Sequence, residues 1–254
     1  MCVLTLILAR AGSKGLTGKN HTPLLGRPLC AYTLDDALAS RRAGRVVVST
    51  DSPEVAAHTR GRGVEVLDRP PDLASDTATV DAAARDALAR LDGPAPDTVV
   101  ILYANVPLRP PNLIDDAVGL LERTGCDYVQ SLCRVGKAHP AWMKGLDGDR
   151  LLPNPHYTGP GSHRRQDLPP LYQLDGGVLA VTATSLTRTD PTDPHAFLGT
   201  DRRAVVTQEG SVIDIDTPLD LVIAEAVLRQ ATSPHPSQER GDAEERRSGV
   251  QPST

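Results

Sequence analysis

Apolar runs alternate with amphipathic segments along the first 135 residues of the chain. Residues 3–9 read VLTLILA, a run that predicts a strand buried on both faces. Shorter apolar runs at 45–49, 64–67, 98–103 and 128–133 predict further buried strands. Between them, 29–40, 53–61, 79–91 and 112–123 place apolar residues at helical spacing. Ser52 precedes Pro53, an N-cap followed by proline at the first helical position. Strands alternating with helices imply βαβ units. The expected fold is therefore α/β, Rossmann-like, with a mostly parallel sheet and helices on both faces. Ligands of such sheets sit beyond the carboxyl ends of the strands.

The texture changes between 136 and 199, where Pro, His, Gly and Arg crowd in and helical periodicity fades. This stretch reads as a small inserted segment, a lid or dimer contact, with a strand at 176–182 and Phe197 as a candidate contact. A strand at 204–208 returns to the main sheet. A last amphipathic helix at 217–230 starts with Thr217 as cap and Pro218 behind it. One domain is expected over 1–230. Residues 231–254 are polar and rich in Ser, Pro, Glu and Arg, the composition of a disordered tail.

Composition narrows the function. Hydrophobic residues make up 39% of the 254 and aromatics 3%, so the core is built from Leu, Val, Ala and Ile. The net charge of -5 argues against a non-specific nucleic-acid binder. The apolar N-terminus is too short to span a membrane and lacks a basic region and a cleavage site, so no membrane association is expected. Cys2, Cys30, Cys126 and Cys133 fit neither zinc-ligand nor disulfide spacing; reduced thiols in a cytoplasmic protein are the simplest account.

The first strand runs into Arg10-Ala11-Gly12-Ser13-Lys14-Gly15-Leu16-Thr17-Gly18-Lys19-Asn20. Three glycines let backbone N–H groups approach an anion, and Arg10, Lys14 and Lys19 add positive charge. Together they make a candidate polyphosphate cradle at the end of a strand. The spacing is G-x-x-G-x-x-G, which is not the dinucleotide fingerprint. A P-loop fails too, because Ser13 stands where it needs glycine and Asn20 where it needs Ser or Thr. Taken alone, such a loop is equally a solvated turn.

More of the chain agrees. The stretch 8–25, LARAGSKGLTGKNHTPLL, resembles the signature of the acylneuraminate cytidylyltransferase family, the CMP-sialic acid synthetases and their relatives. The resemblance continues through VVVSTD at 46–51, RPPDLASDT at 69–77, Pro107-Leu108-Arg109, His139-Pro140 with Lys144, RQDLP at 165–169 and SVIDIDTPLD at 211–220. It implies the nucleotide-diphospho-sugar transferase type of Rossmann-like fold. It also implies a Mg²⁺-dependent transfer of CMP from CTP to the anomeric hydroxyl of a 2-keto sugar acid, with release of pyrophosphate, by a homodimer.

Residue by residue, the resemblance assigns Arg10, Lys19 and Asp216 to catalysis. Nucleotide binding falls to Arg10, Ala11, Gly12, Ser13, Lys14, Lys19, Asn20, Arg69 and Ala78, with Arg69 and Ala78 reading the base. An exposed loop arginine is the plainer account of Arg69. Asp214 and Asp216 alternate on an extended segment, so both carboxylates can face one Mg²⁺; capping of the following helix competes for them. Tyr103, Asn105, Lys144, Arg165, Tyr172 and Asp175 fall to the sugar acid, with Arg164 competing for the role of Arg165. Lys144 and Arg165 are the candidates for the sugar carboxylate. His139 is expected to be structural.

The chain departs from the family pattern at Asn105, which takes a hydroxyl-bearing position, and at three further positions that bear on the substrates. Val80 stands where relatives often carry Ser, Tyr103 where they carry Gln, and Asp175 where they carry Asn. They leave open another nucleoside triphosphate or a different acceptor such as Kdo. A non-enzymatic nucleotide-binding protein is the remaining alternative, opposed by the intact cations and aspartates.

Overall fold

The computed structural model describes residues 1–12, 15–161 and 164–232. Ser13 and Lys14, expected in the phosphate cradle, and the tail from 233 onward lie outside the described residues. In chain order the elements are β1 (Val3–Ala9), a short hairpin of β2 (Pro23–Leu24) and β3 (Arg27–Pro28), α1 (Leu29–Ala39), β4 (Arg45–Thr50), α2 (Pro53–Gly61) and β5 (Glu65–Asp68). There follow α3 (Val80–Arg90), β6 (Thr98–Tyr103), α4 (Leu113–Thr124), β7 (Tyr128–Arg134), the hairpin β8 (Lys144–Asp147) and β9 (Arg150–Pro153), β10 (Tyr172–Thr182), α5 (Ala183–Leu186), β11 (Arg202–Thr207) and α6 (Pro218–Thr232).

Seven strands form one sheet in the order β11-β7-β10-β6-β1-β4-β5. β1 pairs in parallel with both β4 and β6, while β10 runs antiparallel between β6 and β7. The strand expected inside the inserted segment is thus a central strand of the main sheet. It starts four residues before 176, so the excursion between β7 and β10 is 135–171, and a second stretch, 183–201, leaves the sheet through α5 before β11.

The all-apolar run of β1 has a direct cause. Val3, Ile7 and Ala9 pack under α1, α2 and α4, whereas Leu4, Leu6 and Leu8 pack under α3 and α5 on the opposite face. Thr5 is fully buried in the same run, and its hydroxyl donates to the Ala43 carbonyl at 2.7 Å. Each buried aliphatic side chain contributes roughly 2 kcal/mol. α3 lies close on the sheet because its buried face is alanine: Ala83, Ala84 and Ala87. Phe197 is partly buried and packs against this second layer of the core.

The caps expected at Ser52 and Thr217 are present, and Thr79 adds one not expected from the sequence. Ser52 accepts from Val55 N at 3.3 Å and Thr79 from Ala82 N at 3.4 Å. At the start of α6, Asp220 accepts from the N–H and hydroxyl of Thr217 at 2.7 and 2.9 Å, a capping box. A third apolar cluster of Leu24, Leu29, Ile215 and Ala224 joins the β2–β3 hairpin, α1, α6 and the segment before α6. That cluster draws residues 213–216 back against the first loop.

Candidate active site

A cavity of about 300 Å³ opens at the carboxyl ends of β1 and β6. Arg10, Lys19, Asn20, Arg69, Ala78, Tyr103, Asn105, Asp214 and Asp216 all line it. Residues from both ends of the chain meet there: Lys19 Nζ lies 2.5 Å from Asp216 Oδ1. The loop backbone is equally close, since a Cβ on Gly15 would collide with the Asp216 carbonyl oxygen. The third cluster of the core is what forces this approach.

Arg10 and Lys19 are held by carboxylates. Arg10 donates to Asp76 Oδ1 at 2.9 Å and to the Ser75 carbonyl at 3.0 Å, bridging the loop to the start of α3. Asn20 donates through Nδ2 to the Arg10 carbonyl at 2.8 Å. The Ala11 N–H donates to Asp51 Oδ1 at 2.7 Å, so a carboxylate at the end of β4 fixes the loop. Asp51 sits in a motif stretch, VVVSTD, but its role was not evident from sequence. Gly12 has open space where a Cβ would stand.

Arg69 is buried, at 8% exposure, which excludes an exposed loop arginine. Its Nε and Nη2 donate to the Ser49 hydroxyl and carbonyl at 3.1 and 2.9 Å. Burial pushes its pKa down, and the nearby Asp51 opposes the shift. The cavity wall beside Arg69 is apolar, made by Leu8, Leu73, Val80 and Ala83.

On the opposite side Asn105 Nδ2 donates to Asp214 Oδ1 and to the Ile215 carbonyl. Burial, and then repulsion from Asp216, push Asp214 up to about 6, while Lys19 works against the shift. Tyr103 is raised by burial and by Asp214. Two carboxylates that repel each other beside a cationic loop suit a hard divalent cation, whose charge would relieve the repulsion. Among the described residues no group of three or more His, Cys, Asp or Glu could hold a metal, so the protein offers this pair and no closed cage.

Four expected sugar-binding residues lie outside the cavity lining. Asp175 is spent inside the fold. Its Oδ1 accepts from the Ser131 hydroxyl and from Gly177 N at 3.0 Å, and its Oδ2 accepts from Thr207 Oγ1 at 2.6 Å. The acid ties β7, β10 and β11 together and has no free oxygen turned toward a sugar. Lys144 is exposed on β8 and Tyr172 is exposed at the start of β10. Arg165 is exposed, 3.9 Å from Glu209. His139 is buried and structural. Its Nδ1 accepts from Ala141 N at 3.1 Å, which places the ring proton on Nε2, 3.2 Å from the Pro169 carbonyl.

Comparison with known proteins agrees with this geometry. A synthase of CMP-N,N'-diacetyllegionaminic acid from Legionella pneumophila is 33% identical over 243 residues, covering 90% of this chain and 97% of that protein. An N-acylneuraminate cytidylyltransferase of Streptococcus agalactiae is 33% identical over 177 residues, covering 69% of this chain; the chain spans only 42% of that longer protein. The solved structure of a CMP:2-keto-3-deoxy-manno-octonic acid synthetase complexed with CTP shares the fold, with a TM-score of 0.69 at 17% identity. That likeness covers 91% of this chain and 100% of the other. Residues 4–141, from β1 through the β6 turn to beyond β7, match the family model described as Cytidylyltransferase, and the chain belongs to that family.

Proposed function

We propose that the chain transfers CMP from CTP to the anomeric hydroxyl of a nonulosonic acid, with Mg²⁺ bound at Asp214 and Asp216. The hydroxyl oxygen bonds to the α-phosphorus, the bond to the β-phosphate oxygen breaks, pyrophosphate leaves, and the hydroxyl proton passes to solvent. One observation carries this reading. Lys19 and Asp216, 197 residues apart in sequence, are in contact across a single cavity at the carboxyl edge of the sheet. Bound Mg²⁺ would neutralise phosphate charge and acidify the attacking hydroxyl.

The chain's own groups divide the work. Arg10 and Lys19 exchange their carboxylate partners for the triphosphate and stabilise the departing pyrophosphate. Ala11, Gly12, Ser13, Lys14 and Asn20 complete the loop around it. Arg69 and the backbone at Ala78 read the base against the apolar wall that includes Val80. Tyr103 and Asn105 face the acceptor. The full-length match to a legionaminic acid enzyme, and Tyr103 in place of glutamine, favour a nonulosonic acid other than sialic acid.

The sugar carboxylate needs a cation, and those of the cavity lining, Arg10, Lys19 and Arg69, are assigned here to the nucleotide. Lys144 and Arg165 lie on the excursion 135–171, and a homodimer in which that excursion meets the partner would deliver them. Apolar side chains support such a contact. Leu146 and Leu151 face each other across the β8–β9 hairpin at 70% and 69% exposure, and Leu174 and Val206 flank Leu132 on exposed sheet. A cytoplasmic location fits the four unpaired cysteines.

Asp216→Ala tests the core of the reading. Turnover should fall by about 10³-fold or more, with metal-free CTP binding largely kept; undiminished turnover removes the metal site. Pyrophosphate release with each of four nucleoside triphosphates and a panel of ulosonic acids, with products identified by mass spectrometry, tests the substrates. Activity only with GTP or UTP would overturn the assignment of CTP.

A further inference from the structure

Arg109 closes the Pro-Leu-Arg motif, yet it lines no part of the cavity, and catalysis as described above does not use it. Its side chain is only 2% exposed. A guanidinium so deeply buried is costly unless its donors are satisfied. Here they are. Nε donates to the Gly177 carbonyl at 2.7 Å and Nη2 to the Tyr103 carbonyl at 3.0 Å. Nη1 lies 2.7 Å from the Val106 carbonyl, 2.9 Å from Thr33 Oγ1 and 3.2 Å from Asp36 Oδ2. One planar group therefore joins three elements: the turn after β6, the glycine bulge of β10 and helix α1.

The turn it holds is the turn that holds the aspartates. The Asn105 carbonyl accepts from Ile215 N at 2.9 Å and the Leu108 carbonyl from Ile213 N at 3.4 Å, so residues 105–108 form a ledge for 213–215. Asp214 lies between those two contacts, with its carboxylate on the Asn105 amide. Thr33 reinforces the ledge, its hydroxyl lying 3.0 Å from both the Tyr103 and the Val106 carbonyls. Arg109 itself makes no hydrogen bond to Arg10, Arg69 or the described part of the glycine loop, which follow β1 and β5; the ledge meets that loop one residue beyond Ile215, at the contact of Asp216 with Lys19.

We infer that Arg109 is a positioning residue for transfer: through the turn 103–108 it sets where Tyr103, Asn105 and Asp214 stand, and it leaves nucleotide recognition to the other half of the cavity. The inference rests on the assignment of Asp214 and Asp216 to the metal. A lysine at 109 keeps the charge but cannot reach Gly177, Tyr103 and Val106 together from one nitrogen. Displacement of the aspartate ledge by a fraction of an ångström to one ångström is expected to cost on the order of 10- to 100-fold in kcat.

The test compares Arg109→Lys, Thr33→Val and Asp216→Ala. Steady-state kinetics, circular dichroism and binding of Mn²⁺ in the presence of CTP, followed by electron paramagnetic resonance, are measured for each. Arg109→Lys should remain folded, lose kcat by that margin, bind Mn²⁺ more weakly and keep its KM for CTP within about twofold. Thr33→Val, which loosens the same turn while keeping the Arg109 guanidinium in place, should show a smaller loss with the same split between kcat and KM. Unchanged kcat and Mn²⁺ binding in either folded variant, or equal losses in kcat and CTP affinity, would overturn the inference. If Arg109→Lys does not fold, Thr33→Val decides alone. Full activity of Asp216→Ala would instead remove the metal assignment and, with it, the positioning role inferred for Arg109.

Discussion

Asp214 carries a cost at the centre of the site. Its folded pKa of about 6 lies above the ordinary 3.8 because burial and Asp216 oppose its charge. The sign follows from linkage. The folded state holds this proton more tightly than the unfolded chain, so metal-free stability falls as pH rises from about 4 to about 6 and stays low above it. Asp214→Asn should therefore raise the stability of the metal-free protein at pH 7.5 by on the order of 1 kcal/mol, a discounted figure because the group is partly solvated, while abolishing turnover. Melting curves should converge near pH 4; a lower melting temperature for the variant at pH 7.5 would contradict this account. Residue chemistry was partly legible. Arg10, Lys19, Arg69 and the aspartate pair stand together as the motifs implied, because a short motif on a strand end fixes a side chain's surroundings locally. Asp175 was not legible. Its partners Ser131 and Thr207 come from two other strands, and no spacing in the sequence records that junction.

The elements were legible where a period is unambiguous. α1, α2, α3 and α4 fall within a residue or two of the expected spans, and so do β1, β4 and β6. The direction and place of β10 were hidden, because an apolar run buried on two faces looks the same parallel or antiparallel. Its first residues, Tyr172 to Leu174, are exposed and resemble a loop in composition. The two-residue strands of the β2–β3 hairpin are too short for any periodic signal. At this scale the approach of the glycine loop to the α6 entry makes a sharp prediction. Gly15→Ala has no room beside the Asp216 carbonyl, so the loop must retreat from the aspartates. CTP KM should rise about tenfold with little change in melting temperature, because the loop is outside the core; an unchanged KM would show that the loop is free to move there at no cost.

For the whole molecule, the sheet and the core of one domain follow from the sequence pattern, but association does not, since exposed leucines carry no periodic mark. On the proposed homodimer, Leu146→Asp should shift the mass measured by light scattering from two chains to one. It should also weaken acceptor use more than CTP use. A monomeric wild type would refute the proposal outright. The reversed strand has one more effect. β7 ends, and β10 begins, at the edge where the cavity opens, because neighbouring antiparallel strands bring those two termini to one rim. Residues 135–171 are thus a detachable appendage whose two roots lie side by side. Such an appendage can be exchanged for a longer, shorter or differently charged one while the scaffold beneath keeps its register. The described cavity lining takes no residue from this stretch, so a change of its length or charge would leave the chamber's own walls as they are.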